Sequence, residues 1–108
     1  MFKYLVIACI LAPSLCYANG KAEGKITGYV INEDSVYVSS DASTANIHST
    51  CNTLNRFYFS QNSAHAKVFI SAILAAYQAG TDLSLNGTGN CVGGNEVLRK
   101  ICTVGISC

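Results

Sequence analysis

Tyr37, Ser39, Arg56 and Tyr58 are the residues of this chain best suited to meet a ligand. They lie in two short runs, Ser35-Val-Tyr-Val-Ser-Ser40 and Arg56-Phe-Tyr-Phe59, in which apolar and polar residues alternate. Successive side chains of an extended strand point to opposite faces. With Val36, Val38, Phe57 and Phe59 turned inward, the other four turn outward. Two phenol rings, a guanidinium and a hydroxyl would then share one surface, with the stacking and hydrogen-bonding groups that meet sugars or protein.

The other candidate groupings point away from catalysis. Gly87-Thr-Gly89-Asn-Cys-Val-Gly93 has the glycine content of a nucleotide loop. It lacks a following helix and a phosphate-binding lysine, and its last glycine falls one residue too far on. It reads as a disulfide-bearing turn. His48 in a polar loop and His65 at a helix start are far apart in sequence and read as surface residues. Glu33 and Asp34 are adjacent in a turn, so their carboxylates diverge and make a poor acid/base pair. No serine occupies a nucleophile-elbow context. An enzyme is not expected, and neither is a cofactor.

The first 18 residues read as a secretion leader. Met1-Phe-Lys is a short basic head, Tyr4 to Leu15 is an apolar run broken by Pro13, and Cys16-Tyr-Ala18 puts small residues where a signal peptidase cuts. The run is too short to span a bilayer comfortably. Val6-Ile-Ala-Cys9 matches a lipidation box only superficially, because the apolar segment lies on the wrong side of it. Cleavage after Ala18 leaves one domain, residues 19–108, secreted or periplasmic and not inserted in a membrane. Its charges balance: Lys21, Lys25, Arg56, Lys67, Arg99 and Lys100 against Glu23, Glu33, Asp34, Asp41, Asp82 and Glu96. Interspersed and neutral, they argue against nucleic acid or an anionic membrane as partner.

Four cysteines remain in that domain: Cys51, Cys91, Cys102 and Cys108. An even count in a small exported chain reads as two disulfides, with three pairings open. Cys51–Cys91 with Cys102–Cys108 is favoured, since the first would tie the polar loops on either side of the central helix. A zinc site would need closely spaced Cys pairs or neighbouring His ligands, so no metal is expected.

These residues must be positioned by the following elements. Gly24–Ile31 and Ser35–Ser40 form a hairpin across Asn32-Glu-Asp34. Asp41–Asn55 is a long polar loop, and Arg56–Phe59 a third strand. Ser63–Gly80 is a helix, capped at its start by Asn62 or Ser63 and closed by Gly80. Ala66, Phe69, Ile70, Ile73, Ala76 and Tyr77 recur on one face, and Val68, Ala72, Leu74 and Ala75 widen it. So broad an apolar face predicts burial on more than one side, in the core or against copies of the chain. Leu83–Gly87 is a fourth strand, Thr88–Asn95 a glycine-rich loop, and Glu96–Val104 a fifth strand. The order β-β-β-α-β-β predicts a mainly β domain with one central helix. That is a small five-stranded, partly open barrel of the oligonucleotide/oligosaccharide-binding (OB) type, stapled by disulfides. A two-layer α+β sheet-and-helix arrangement is the alternative.

One resemblance runs through most of the domain. Gly24-Lys-Ile, Ser35-Val-Tyr-Val-Ser, Arg56-Phe-Tyr-Phe, Ile73-Leu-Ala-Ala-Tyr-Gln-Ala-Gly80 and Leu85-Asn-Gly-Thr-Gly-Asn-Cys91 follow an export signal in this order. The pattern resembles small secreted bacterial proteins of largely unknown function. In element order it is similar to the OB-fold binding subunits of pertussis-like and subtilase-type toxins. The resemblance implies ring assembly and glycan recognition at the level of the fold. Two expectations follow. The first is a non-enzymatic binding module for a glycan or cell-surface partner, self-associating through helix 63–79. The second is a monomeric periplasmic or secreted inhibitor, immunity factor or envelope component with one protein partner.

Overall fold

The computed structural model describes residues 19–106 and Cys108. The leader assigned to residues 1–18, with its cleavage site, lies outside the described residues. The elements are β1 (Lys21–Ile31), β2 (Ser35–Ser40), β3 (Ala45–Ile47), β4 (Phe57–Ser60), α1 (Ala66–Ala79), β5 (Asp82–Val92) and β6 (Asn95–Thr103). The strands form one mixed sheet in the order β2-β4-β6-β5-β1-β3, and β1 pairs with β2 as well. The sheet thereby curls into a partly closed ring, and the described residues are mainly β with a single helix, as expected. It does not complete a barrel.

The sixth strand has a simple origin. β3 continues β2 along β1: Ser40 lies opposite Ile26, and after a short break Ala45 lies opposite Glu23. In the break the Asp41 and Thr44 amides still donate to the carbonyls of Lys25 and Glu23. The predicted 41–55 loop is therefore partly sheet, and two of its polar residues, Ser49 and Asn52, are buried. Pairing with β1, not local propensity, makes Ala45-Asn-Ile47 a strand. The predicted 88–95 loop is also mostly strand. β5 runs on to Val92 across register shifts at Gly87, and the turn is confined to Gly93 and Gly94, both at positive φ.

Alternation fills the interior. Val36, Val38, Phe57, Phe59, Leu85 and Leu98 are buried between the strands, and Ile73 enters from the helix. Each such side chain contributes about 1.5–3 kcal/mol on leaving water. The helix begins at Ala66, later than predicted, with His65 at the N-cap and no side-chain cap. Of the residues expected to cap it, Ser63 turns its hydroxyl back to the Ser60 carbonyl at 2.8 Å, and the backbone amide of Asn62 donates to Ser60 Oγ at 3.1 Å, so residues 60–63 form a turn ahead of the helix. Short polar side chains bonding to a nearby turn compete with capping in this way. Gly80, at φ 69°, closes the helix as predicted. The broad apolar face is only half covered. Ala66, Ile73 and Ala76 are buried, while Val68 (68% exposed), Ala75 and Ala79 face outward. Within one chain the helix is covered on one side only.

Among the described residues there are two disulfides, Cys51–Cys91 and Cys102–Cys108. The first closes a separation of 40 residues, worth roughly 4 kcal/mol in the chain-entropy account. It lies beside a buried acid. Glu96 is 0% exposed, and its Oε2 accepts the Gly20 amide at 2.7 Å and the Gly89 amide at 2.9 Å. The carboxylate fits between Gly20 and Gly87, where a Cβ on either residue would collide with it.

Gly87→Ala is therefore expected to destabilise the fold by about 2–4 kcal/mol, since the methyl group would overlap the buried Glu96 carboxylate and its Cγ. Gly28→Ala, whose new Cβ would stand 3.8 Å from Ser39 Oγ in ordinary contact, should shift stability by less than about 0.5 kcal/mol. Urea unfolding of the two variants separates them. Asp41 supplies a pH-dependent contribution. The Ser43 amide holds its carboxylate below the ordinary value of 3.8, helped by the Lys25 amide and ammonium. A depressed folded pKa contributes stability above the unfolded value, and that stability is lost as pH falls through the folded one. Asp41→Asn is expected to be less stable than wild type near pH 6, with the gap closing in melts below the ordinary aspartate range.

Candidate binding surface on the outer face of the second and fourth strands

Antiparallel pairing of β2 and β4 sets Tyr37 opposite Tyr58, Val36 opposite Phe59 and Val38 opposite Phe57. The four apolar residues are almost fully buried, so their neighbours take the outer face. The two tyrosine rings lie 5.6 Å apart, tilted by 42°. The Arg56 guanidinium carbon stands 5.0 Å from the centre of the Tyr37 ring, a cation–π contact worth about 0.5–1 kcal/mol when partly solvated. Ser39 shares a hydrogen bond of 2.9 Å with the Thr27 hydroxyl on β1. All four predicted residues thus stand on one half-buried outer surface.

Next to them the surface is concave. A depression of about 250 Å³ is lined by Tyr37, Ser39 and Arg56 together with Gly28, Tyr29 and Val30 of β1. Gly28 makes the dent: it pairs with Ser39 and carries no side chain to fill the space between the strands. Val30, opposite Tyr37, supplies an aliphatic wall. Tyr58 borders the depression through Tyr37 without lining it. The lining offers aromatic and aliphatic faces, hydroxyls and a guanidinium. Such groups are suited to stacking and hydrogen bonding.

Arg56 is placed by residues that sequence reasoning passed over. Its Nε donates to Asn95 Oδ1 at 2.9 Å, and its amide donates to Asn52 Oδ1 at 3.1 Å. Asn95 is buried and fixed in turn, donating from Nδ2 to the carbonyls of Val92 (3.1 Å) and Gly93 (3.3 Å). One amide side chain thus couples the β5–β6 turn to the guanidinium over Tyr37. Alternation in β6 could have revealed the neighbouring buried acid, because Glu96 shares its strand face with the buried Leu98.

The remaining candidates are dispersed. His48 Nδ1 lies 3.3 Å from Asn52 Nδ2, with the imidazole 6.1 Å from the Phe57 ring and tilted by 40° to it. His65 stands at the start of α1 beside Phe69. Glu33 and Asp34 are exposed in the β1–β2 turn. Gly87 to Val92 belong to β5 and its bulges, and only Gly93 falls in the turn that follows.

Compared with known proteins, the chain matches no family model, no curated protein and no solved structure.

Asn95→Ala is expected to release Arg56 and loosen the turn together. Unfolding free energy should fall by about 1–3 kcal/mol, the usual cost of stranding buried partners. Arg56 should gain side-chain mobility in NMR relaxation of its Nε, whereas Arg99 on the same strand as Asn95 should not change.

Proposed function

We propose that this protein is an exported, non-enzymatic binding module whose outer β2–β4 face recognises a glycan on a cell surface. The observation that carries the reading is the convergence of Tyr37, Tyr58, Arg56 and Ser39 beside the Gly28 depression. Aromatic rings accept the C–H faces of a pyranose, while the guanidinium and hydroxyls bond its oxygens. Export is supported by the leader-like residues 1–18 and by the two disulfides, which persist in oxidising compartments. Among the described residues no helix is long and apolar enough to cross a membrane.

In this reading the bare outer side of α1 is where copies of the chain meet, because Val68, Ala75 and Ala79 are exposed there. That would give the multivalency through which weak sugar contacts add up, in the manner of the toxin binding subunits that the element order resembles. The exposed apolar residues fit equally a monomer with one protein partner, such as an inhibitor, immunity factor or envelope component. The two readings part on stoichiometry and ligand class.

The test is glycan-array binding of protein purified from the periplasm, with native mass spectrometry on the same sample. Wild type is expected to bind a restricted glycan set as an oligomer. Tyr37→Ala and Gly28→Val should each weaken binding by about tenfold or more, with circular dichroism unchanged. Undiminished binding by both variants would move the site elsewhere. A monomer that binds no glycan but retains one protein would favour the second reading.

A further inference from the structure

Glu96 is the one fully buried ionisable residue among the described residues, and only half of its carboxylate is satisfied. Oε2 holds the amides of Gly20 and Gly89, whereas Oε1 is buried without a hydrogen-bond partner. The charged groups on the elements packed around it are all directed elsewhere. Lys21 pairs with Glu23 at 3.2 Å and Lys25 with Asp82 at 3.3 Å. Arg56 bonds Asn95, Lys100 donates to the Cys108 carbonyl, Arg99 is exposed, and His48 meets Asn52. A buried carboxylate without a counter-charge is a large burden on a small domain.

The direction in which Oε1 faces identifies its missing partner. It lies against the Cα of Gly20, at the place where a side chain on that residue would begin. The residue before Gly20 is Asn19, exposed, and its nitrogen is three bonds from the Gly20 nitrogen that already donates to Oε2. While Asn19 is joined to Ala18, that nitrogen is a neutral amide with a single proton. Hydrolysis of the Ala18–Asn19 bond consumes one water, leaves a carboxylate on Ala18 and frees the Asn19 amine. With an ordinary pKa of about 7.7–8.0, the amine takes up a proton at neutral pH. Rotation about ψ of Asn19 alone can then turn the ammonium toward the same carboxylate that holds Gly20.

We infer that the α-ammonium of Asn19, created by removal of the leader after Ala18, is the counter-ion of Glu96 and completes the hydrogen bonding of Oε1. The inference rests on the leader reading above. Processing is thereby a step in folding: the precursor buries an uncompensated charge, and the processed chain locks its first strand to the β5–β6 bulge. The less stable precursor suits a chain that must remain unfolded until it is exported. The glycines at 20 and 87 are required for the same reason, since side chains there would occupy the space of the carboxylate.

The experiment compares protein exported with its natural leader and a form carrying Gly-Ser inserted between Ala18 and Asn19, each as wild type and as Glu96→Gln. Intact mass first identifies the amino terminus. The expected result is Asn19 at the terminus and an insertion that lowers the folding equilibrium constant of wild type about tenfold at pH 7, one pKa unit of linkage, but hardly affects Glu96→Gln. A paired amine has a raised folded pKa. Its contribution is therefore complete below the ordinary amine range and disappears as pH rises through the raised value, so the two wild-type forms should converge at alkaline pH. Equal effects of the insertion in both backgrounds would overturn the inference. Should Glu96→Gln fail to fold, NMR titration of the Asn19 amine in wild type decides: a raised pKa supports the pair, and an ordinary one overturns it. A terminus other than Asn19 would overturn the leader assignment and the inference together, whereas Asn19 with an ordinary amine overturns the inference alone.

Discussion

The parallel pairing of β4 with β6 spans two residue pairs, Phe57 with Glu96 and Tyr58 with Val97, and the ring of strands closes there. A two-pair ladder is too short to hold a curled sheet shut, so other interactions gather at this seam. The Glu96 amide donates to the Arg56 carbonyl, Asn95 holds the Arg56 side chain, and Cys51–Cys91 ties the loop before β4 to the end of β5. Beneath them the Glu96 carboxylate gathers the Gly20 and Gly89 amides. The seam is closed by side chains and a covalent bond where backbone hydrogen bonds are few. Its residues are consequently the least replaceable in the domain: glycines with no room for a methyl group, a buried acid and a buried amide.

The outer face inherits its geometry from this closure. Tyr37 belongs to β2 and could stand outward in any hairpin of this pattern. Arg56 and Tyr58 come to it only because β4 lies between β2 and β6, and Arg56 covers the ring only because Asn95 anchors it from the far strand. A ligand leaning on Tyr37 would therefore feel the state of the β5–β6 turn across the ring. Pre-organisation of this kind lowers the ordering cost of binding for side chains as flexible as arginine.

Much of this architecture could be read in the residues before any coordinates. Alternation in Ser35–Ser40 and Arg56–Phe59 assigned inward and outward faces, because a strand has only two and the core takes the larger apolar residues. The β-β-β-α-β-β order implied a curled sheet with one helix, and Gly80 marked the helix end. The misreadings share a cause, which is that tertiary pairing overrode local preference. Ala45-Asn-Ile47 has little strand propensity, yet it is a strand because β1 offers it a free edge. The glycines at 87 and 89 looked like loop punctuation but are strand residues: a Cβ at 87 would collide with the Glu96 carboxylate, and Gly89, at φ 87°, donates its amide to it. Glu96 entered the sequence argument only as a unit of surface charge, since composition counts charges without placing them. Ser63 was assigned to the helix cap, and the turn after β4 engaged it first.

The two surfaces on which the proposed function depends lie on opposite faces of β1. Val30 stands opposite Tyr37 and Gly28 opposite Ser39, so these residues belong to the outer face and its depression. Tyr29 stands opposite the buried Val38 and turns the other way, where it meets Tyr77 of the helix edge-on at 5.3 Å. The bare side of the helix, with Val68, Ala75 and Ala79 exposed, points away from that contact. Copies docked there would leave the depression open to a ligand. Assembly would then multiply the sites without altering any one of them, and the gain in avidity would come from number alone. A monomer with one protein partner gains nothing from this separation, because a single partner would have to reach round the sheet to cover both surfaces.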